Sequence, residues 1–195
     1  MKSESEHDLF YTWIKNWIPK FEAVIEIGVA TGGSTKVWHS FLDKDGIFIG
    51  IDINLVDPSQ NLFGEVEKVI KFYKDDPRMY FILGDSMEQS TVDEVRNILN
   101  GRKVDVLWID GEHSPIAALS DYNLYVEFVK PEGVIAWHDA TKNTNVRNVI
   151  DELIKPYATR HKYGAVWDLK DSPFQFYCQF DSSTGHCGIR ALVRK

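Results

Sequence analysis

The sequence predicts an α/β protein built on a doubly wound, mostly parallel sheet that ends in an antiparallel C-terminal hairpin. Three observations carry this expectation. Short strand-like runs and amphipathic helix-like segments alternate five times between Ala23 and Leu153. The strand-like runs are almost continuously apolar, as in sheets covered by helices on both faces. The C-terminal stretch then breaks the rhythm, because Tyr163–Leu169 and Gly188–Val193 read as two strands with no helix between them. Parallel neighbours need right-handed crossovers, so the repeated alternation closes into a doubly wound sheet, seven strands in all.

The elements follow in order. Phe10, Trp13, Ile14 and Trp17 recur at helical spacing and predict a helix over Asp8–Ile18, stopped by Pro19. Its aromatic face packs over the sheet edge or serves as a lid or a contact between copies of the chain. Val24–Ile27 is the first strand. Ser34–Leu42 is a helix with Val37, Trp38 and Phe41 inward, and Ile47–Ile53 is the second strand. The periodicity of Phe63, Val66, Val69, Ile70 and Tyr73 predicts a helix over Leu62–Tyr73. Met79–Leu83 is the third strand. Thr91-x-x-Glu94 has the pattern of a capping box opening the next helix. Val104–Ile109 is the fourth strand, Pro115–Phe128 a helix, and Val134–Trp137 the fifth strand. Thr144 or Asn145 caps a helix that uses Val146, Val149, Ile150 and Leu153.

Composition bounds the rest. The 195 residues are expected to form a single domain, with residues 1–20 as an N-terminal helix, 21–155 as ligand-binding βα units and 156–195 as C-terminal strands. A net charge of −7 disfavours a nucleic-acid partner, which needs a basic face. Two cysteines, Cys178 and Cys187, make no disulfide framework and point to a reducing compartment. With no signal-like N-terminus and no apolar run long enough for a membrane span, a cytoplasmic location is expected.

In open α/β sheets, ligands bind beyond the carboxyl ends of the strands. The residues there are Glu26-Ile-Gly28, Asp52, Gly84-Asp85-Ser86, Asp110 and His138-Asp139. Gly28 suits a turn with positive φ. Gly32 and Gly33 remove Cβ atoms where a helix N-terminus meets a ligand. The loop is spaced G-x-x-x-G-G with Ala30 at the central position, which does not match the dinucleotide pattern G-x-G-x-x-G. Glu26 inside the strand end is unsuited to a pyrophosphate but compatible with a cationic ligand.

The loop E-x-G-x-x-x-G resembles the cofactor loop of class I S-adenosylmethionine-dependent methyltransferases, which share a Rossmann-like fold. D-G-x-H-S at Asp110–Ser114 and K-P-x-G-x-I-x-x-H-D at Lys130–Asp139 are similar to a branch of small-molecule O-methyltransferases. That branch includes cation-dependent macrolide-sugar methyltransferases and cephalosporin-hydroxylase-like proteins. The resemblance implies S-adenosylmethionine as cofactor, held by Glu26, Gly28, Ala30, Gly32, Ser34, Asp52, Gly84, Asp85, Ser86 and Asp110. It places Asp52 on the ribose hydroxyls and Gly84-Asp85-Ser86 beside the adenine. It also implies a divalent cation, Mg²⁺ or Mn²⁺, on Asp110, His138 and Asp139. His138 departs from the family's oxygen ligand. An imidazole there suits a softer ion such as Mn²⁺, Fe²⁺ or Zn²⁺, or serves only to orient Asp139.

By the same resemblance, His113 falls where a histidine base is found and Glu112 where another subgroup places an acidic one. The acceptor is expected to be a small hydroxylated molecule such as a sugar or a natural-product intermediate. The Trp13/Trp17 face is the candidate surface for homo-oligomer formation. His186-Cys187 is half a metal site at most and reads as loop. Tyr122, Tyr125 and Phe128 read as core, and Trp137 as either an acceptor floor or sheet filling. Two other readings stay open: a nicotinamide-dependent oxidoreductase on the same sheet, and a cofactor-binding module without catalysis.

Overall fold

The computed structural model describes residues 5–54, 56–57, 62–63, 65–140, 144–161, 164–167, 171–181 and 188–195. Its helices are α1 (Glu6–Trp17), α2 (Gly33–Phe41), α3 (Val66–Tyr73), α4 (Gln89–Leu99), α5 (Pro115–Tyr125) and α6 (Asn145–Ile154). The strands are β1 (Phe21–Ile27), β2 (Leu42–Asp52), β3 (Val56–Asp57), β4 (Leu62–Phe63), β5 (Met79–Leu83), β6 (Val104–Ile109), β7 (Val129–Trp137), β8 (Ala158–His161), β9 (Gly164–Trp167), β10 (Phe174–Asp181) and β11 (Gly188–Arg194). Seven of them make the main sheet in the order β10-β11-β7-β6-β1-β2-β5. The run from β7 to β5 is parallel, whereas β11 is antiparallel to both β7 and β10. The doubly wound, mostly parallel seven-stranded sheet with an antiparallel ending is as the sequence predicts.

Side chains alternate across the sheet and fill two cores. Ala23, Ile25, Ile27, Leu107, Ile109, Ile135 and Trp137 face a layer formed by α4, α5 and α6. Val24, Phe48, Val106, Trp108, Val134 and Ala136 face the other layer, with Phe10 and Ile14 of α1, Trp38 of α2, and Val66 and Val69 of α3. Burial on both faces explains why these strands read as unbroken apolar runs. Trp137, Tyr125 and Phe128 lie in the first core with Tyr122 packed against it, so Trp137 fills the sheet.

Helix α1 begins with a capping box. The Ser5 hydroxyl accepts the Asp8 amide at 3.1 Å, and the Asp8 carboxylate accepts the Ser5 amide at 3.1 Å. Trp13 and Trp17 stack with centroids 6.4 Å apart, and the Trp17 indole donates to the Glu132 carbonyl at 3.1 Å, tying α1 to the turn inside β7. Thr144 is the cap of α6, as expected.

Three expectations are corrected. Leu62-Phe63 does not start a helix; it pairs antiparallel with Val56-Asp57, and α3 begins only at Val66, after Gly64 interrupts the periodic run. Thr91 does not cap α4, which starts two residues earlier behind Glu88. Thr91 is instead buried, with its hydroxyl close under Gly84. The hairpin partner of β11 is Phe174–Asp181 rather than 163–169. Of that predicted strand, Gly164–Trp167 pairs with Ala158–His161 in a separate two-stranded sheet, and residues 163, 168 and 169 lie outside the described residues. His186 and Cys187 also lie outside them. Among the described residues no helix is long and apolar enough to cross a membrane.

Candidate active site

The carboxyl ends of β1, β2, β5 and β6 open onto a cleft with two adjoining cavities of about 520 and 630 Å³, which share Gly28, Ala30, Thr31, Asp110 and Gly111 in their walls. The larger cavity also takes in Asp52, Gly84, Asp85, Ser86 and Glu112; the smaller takes in Ser34 and His113. Most of the predicted site residues therefore meet at one place.

The loop after β1 is held by backbone geometry. Gly28 has φ +87°, and a Cβ there would come within 2.1 Å of the Asp110 carbonyl oxygen, so only glycine lets β1 and β6 end this close together. Ala30 also has positive φ, at 46°. Gly32, at φ 76°, precedes α2 and packs against Val69 instead of facing the cleft. Gly33 differs: a Cβ there would meet nothing within 4 Å, on the wall of the smaller cavity.

Asp52 does more than face the cleft. Its Oδ2 accepts the Val29 and Ala30 amides at 2.9 Å each, and its Oδ1 accepts the Asn54 amide at 2.7 Å. These loop amides are thus engaged within the protein and are not bare donors aimed at a ligand. Glu26 is placed differently from expectation. It is fully buried beneath α2, bonded by the Thr35 hydroxyl, and lines neither cavity. Burial pushes its carboxyl up to about 8, against the opposing pull of the Ser34 and Thr35 hydroxyls.

At the β5 end, Asp85 accepts the Met87 amide at 2.8 Å. The Ser86 hydroxyl donates to Asp121 at 2.7 Å, and the Ser86 carbonyl accepts the Tyr125 hydroxyl at 2.8 Å. Asp121, on α5, was not legible as a site residue. It is 1% exposed, borders the larger cavity, and burial raises its carboxyl to about 6.

The β6 and β7 ends carry a charged cluster. His113 sits with Nε2 3.5 Å from Asp110 Oδ1 and Nδ1 3.4 Å from Asp139 Oδ2. Its imidazole is held above the ordinary value, first by the Asp110 carboxylate and also by Asp139. Asp110 is largely buried, which alone would raise its carboxyl, but hydrogen bonds with His113 and His138 outweigh this and keep it below the usual range. His138 Nδ1 is 3.1 Å from Asp110 Oδ1. Asp139 has φ 50°, which turns the chain away from β7.

Donor atoms of Asp110, His113 and Asp139 lie within 4.8 Å of one another. His113 thus joins the two acids as a second imidazole. His138, the third ligand expected from sequence, stays beside both of them, with Nδ1 3.1 Å from Asp110 Oδ1 and 3.7 Å from Asp139 Oδ2, and a donor atom of it also groups with Glu6 and His7 of α1. His7 and Tyr11 line the smaller cavity and were also missed, because their contact with β6 and β7 spans most of the chain.

The family model described as a methyltransferase domain matches residues 25–140. The chain belongs to the methyltransferase domain family. The class I S-adenosylmethionine-dependent resemblance stated from the motifs is borne out, and the nicotinamide-dependent reading falls away. Solved structures similar to this methyltransferase include the O-methyltransferase TomG from Streptomyces achromogenes, involved in tomaymycin synthesis and solved with S-adenosylmethionine. It has a TM-score of 0.63 and 13% identity, over 96% of this chain and 78% of that one. A Bacillus cereus O-methyltransferase solved with S-adenosylhomocysteine has a TM-score of 0.60 and 15% identity, over 95% and 81%. An rRNA methylase from Streptococcus thermophilus has a TM-score of 0.64 and 8% identity, over 98% and 97%. At these identities the likeness speaks for the fold. No curated protein matches the methyltransferase by sequence.

Proposed function

We propose that this methyltransferase moves the methyl group of S-adenosylmethionine to a hydroxyl of a small acceptor, with His113 as the base. The observation that carries the reading is the Asp110–His113–Asp139 arrangement at the edge of the cleft. The cleft fits the cofactor: Gly33 leaves its wall open where a Cβ would project, and Asp52, Asp85, Asp110 and Glu112 line it with groups suited to a cation. S-adenosylmethionine, when bound, supplies a methyl group already activated on sulfur. What remains for the protein is to orient an acceptor hydroxyl in line and take its proton. Asp139 holds the Nδ1 side of the His113 ring, and Nε2 receives the proton as the new carbon–oxygen bond forms and the carbon–sulfur bond breaks. A raised imidazole pKa makes His113 a stronger base near neutrality than a free histidine.

A cation-assisted version rests on the same three residues. Asp110, His113 and Asp139 offer a mixed oxygen and nitrogen donor set, and a divalent ion held there would lower the acceptor hydroxyl's pKa. The imidazole cannot bind an ion and accept the proton through one nitrogen, so Glu112, on the wall of the larger cavity, takes the role of base in that version. The net charge of −7 weighs against nucleic acid as the acceptor.

The test is calorimetric titration with S-adenosylhomocysteine, then methyl transfer to a panel of hydroxylated acceptors with and without EDTA. Absence of binding at millimolar ligand overturns the proposal. Full activity in EDTA removes the cation version alone. Unchanged turnover in His113→Ala removes the base assignment.

A further inference from the structure

A second group of metal-type donors adjoins the Asp110–His113–Asp139 cluster and shares no residue with it. His138 follows the last residue of β7, and its side chain is only 13% exposed. Its Nδ1 is 3.1 Å from Asp110 Oδ1, so in the neutral ring Nδ1 carries the hydrogen and Nε2 keeps its lone pair. That Nε2 is buried and has no hydrogen-bond partner among the described residues. Packed against it are the first two residues of α1. Glu6 is a carboxylate with 7% exposure, and the His7 ring lies 4.7 Å from the His138 ring, centroid to centroid. His7 Nδ1 is 3.4 Å from Glu6 Oε1, and one donor atom from each of Glu6, His7 and His138 lies within 4.8 Å of the others.

Electron-pair donors gathered this way need a cation or a proton between them. A buried carboxylate and a buried ring lone pair are both acceptors, and a neutral His7 has only one N–H to offer. Solvent does little here, because Glu6 is only 7% exposed and His138 Nε2 is buried. The Asp110–His138 pair also supplies what metal-bound imidazoles usually have, a carboxylate behind the other nitrogen that fixes tautomer and ring direction.

We infer that Glu6, His7 and His138 form a binding site for a first-row transition ion, with Zn²⁺ as the reference occupant. Two imidazoles and one carboxylate favour Zn²⁺ and its neighbours over Mg²⁺, which prefers an all-oxygen, largely hydrated shell. Three protein donors leave a fourth position for water or another oxygen. Such an ion links the start of α1 to the end of β7, beside the cavity that His7 lines.

The experiment uses the full chain, stripped by chelator dialysis and titrated with Zn²⁺ alone by calorimetry, then with Co²⁺ alone while its visible absorption is followed. At least one equivalent should bind independently of His113, and Zn²⁺ should raise the melting temperature. His7→Gln and Glu6→Gln should weaken Zn²⁺ more than about 100-fold, beyond the loss typical of supporting residues. His113→Ala should retain the ion. Circular dichroism of the metal-free variants separates lost ligation from lost folding, and Glu6→Gln, nearly isosteric, serves if His7→Gln is unstable. The inference is overturned if the unaltered chain binds no Zn²⁺, if His113→Ala loses the ion, or if both glutamine variants keep it. None of these readouts depends on methyl transfer.

Discussion

Asp52 Oδ2 and the Ala30 amide are bonded at 2.9 Å across the mouth of the cleft, and the same oxygen takes the Val29 amide at 2.9 Å. The acid ending β2 thereby sets the shape of the loop that follows β1. Its third backbone bond, to Asn54, fixes the chain on its own side. A group expected to grip a ribose is first a structural clamp on the loop beside it.

Asp52→Ala should accordingly lower both stability and cofactor affinity. Loss of charge-assisted bonds to partly buried amides costs about 3 kcal/mol, or roughly 6–12 °C in a chain of this size. Thermal melts and calorimetry with S-adenosylhomocysteine check this. A variant with unchanged melting but no ligand binding would show that Asp52 acts on the ligand alone.

Gly28→Ala and Gly33→Ala should part company. The first forces a Cβ into the Asp110 carbonyl at positive φ and should cost at least about 3 kcal/mol, or leave no folded protein. The second puts a Cβ into open space at the first residue of α2, where alanine is the better helix former by up to about 1 kcal/mol. Gly33→Ala should therefore melt at or above the parent temperature while binding S-adenosylhomocysteine more weakly.

Glu26 makes stability depend on pH. The folded protein keeps a proton on this carboxyl up to about 8, whereas the unfolded chain releases it near its ordinary value of 4.5. Between those values the folded state holds more protons, so stability is greatest below pH 4.5 as far as this group is concerned, and falls as pH rises towards 8. The change is on the order of a few kcal/mol. Urea unfolding of Glu26→Gln across that range should show a flatter profile than the parent.

His113→Ala should reduce kcat by about 10²- to 10⁴-fold and leave S-adenosylhomocysteine affinity nearly intact. Because the Asp110 and Asp139 carboxylates raise its imidazole, the acidic limb of kcat/KM should have its midpoint above 6.5. Asp139→Asn removes one of these charges and should move that midpoint downward. A limb that stays in place would detach Asp139 from the base.

Much of this architecture was legible because each buried strand ends in an abrupt change of chemistry. Met79–Leu83 before Gly84-Asp85 and Val104–Ile109 before Asp110-Gly111 are bounded as the sequence indicates. The edge of the sheet was harder. Phe174–Asp181 mixes glutamine, cysteine and tyrosine with its aromatics, as an edge strand with one partner can, so its pattern did not stand out beside Gly164–Trp167. Glu26 could have been read more fully, since it shares the strand face of Val24, which packs towards α2 and not into the cleft. His138 and Asp139 look like a pair in sequence and stay close in space, with Nδ1 3.7 Å from Oδ2. What His138 also meets, Glu6 and His7, lies more than a hundred residues earlier, a contact that local periodicity does not report.

The position of β11 has a kinetic consequence. This strand sits between β10 and β7, and Ile189, Ala191, Leu192 and Val193 are wholly buried. Helix α1 rests against the same region, with Phe10 5.4 Å from Phe180. On the ribosome, then, β7 must wait with one edge unpaired, and α1 without part of its seat, until residue 194 has cleared the exit tunnel. Nascent chains halted before that point should recruit chaperones and be cut readily by protease, however complete their βα units already are.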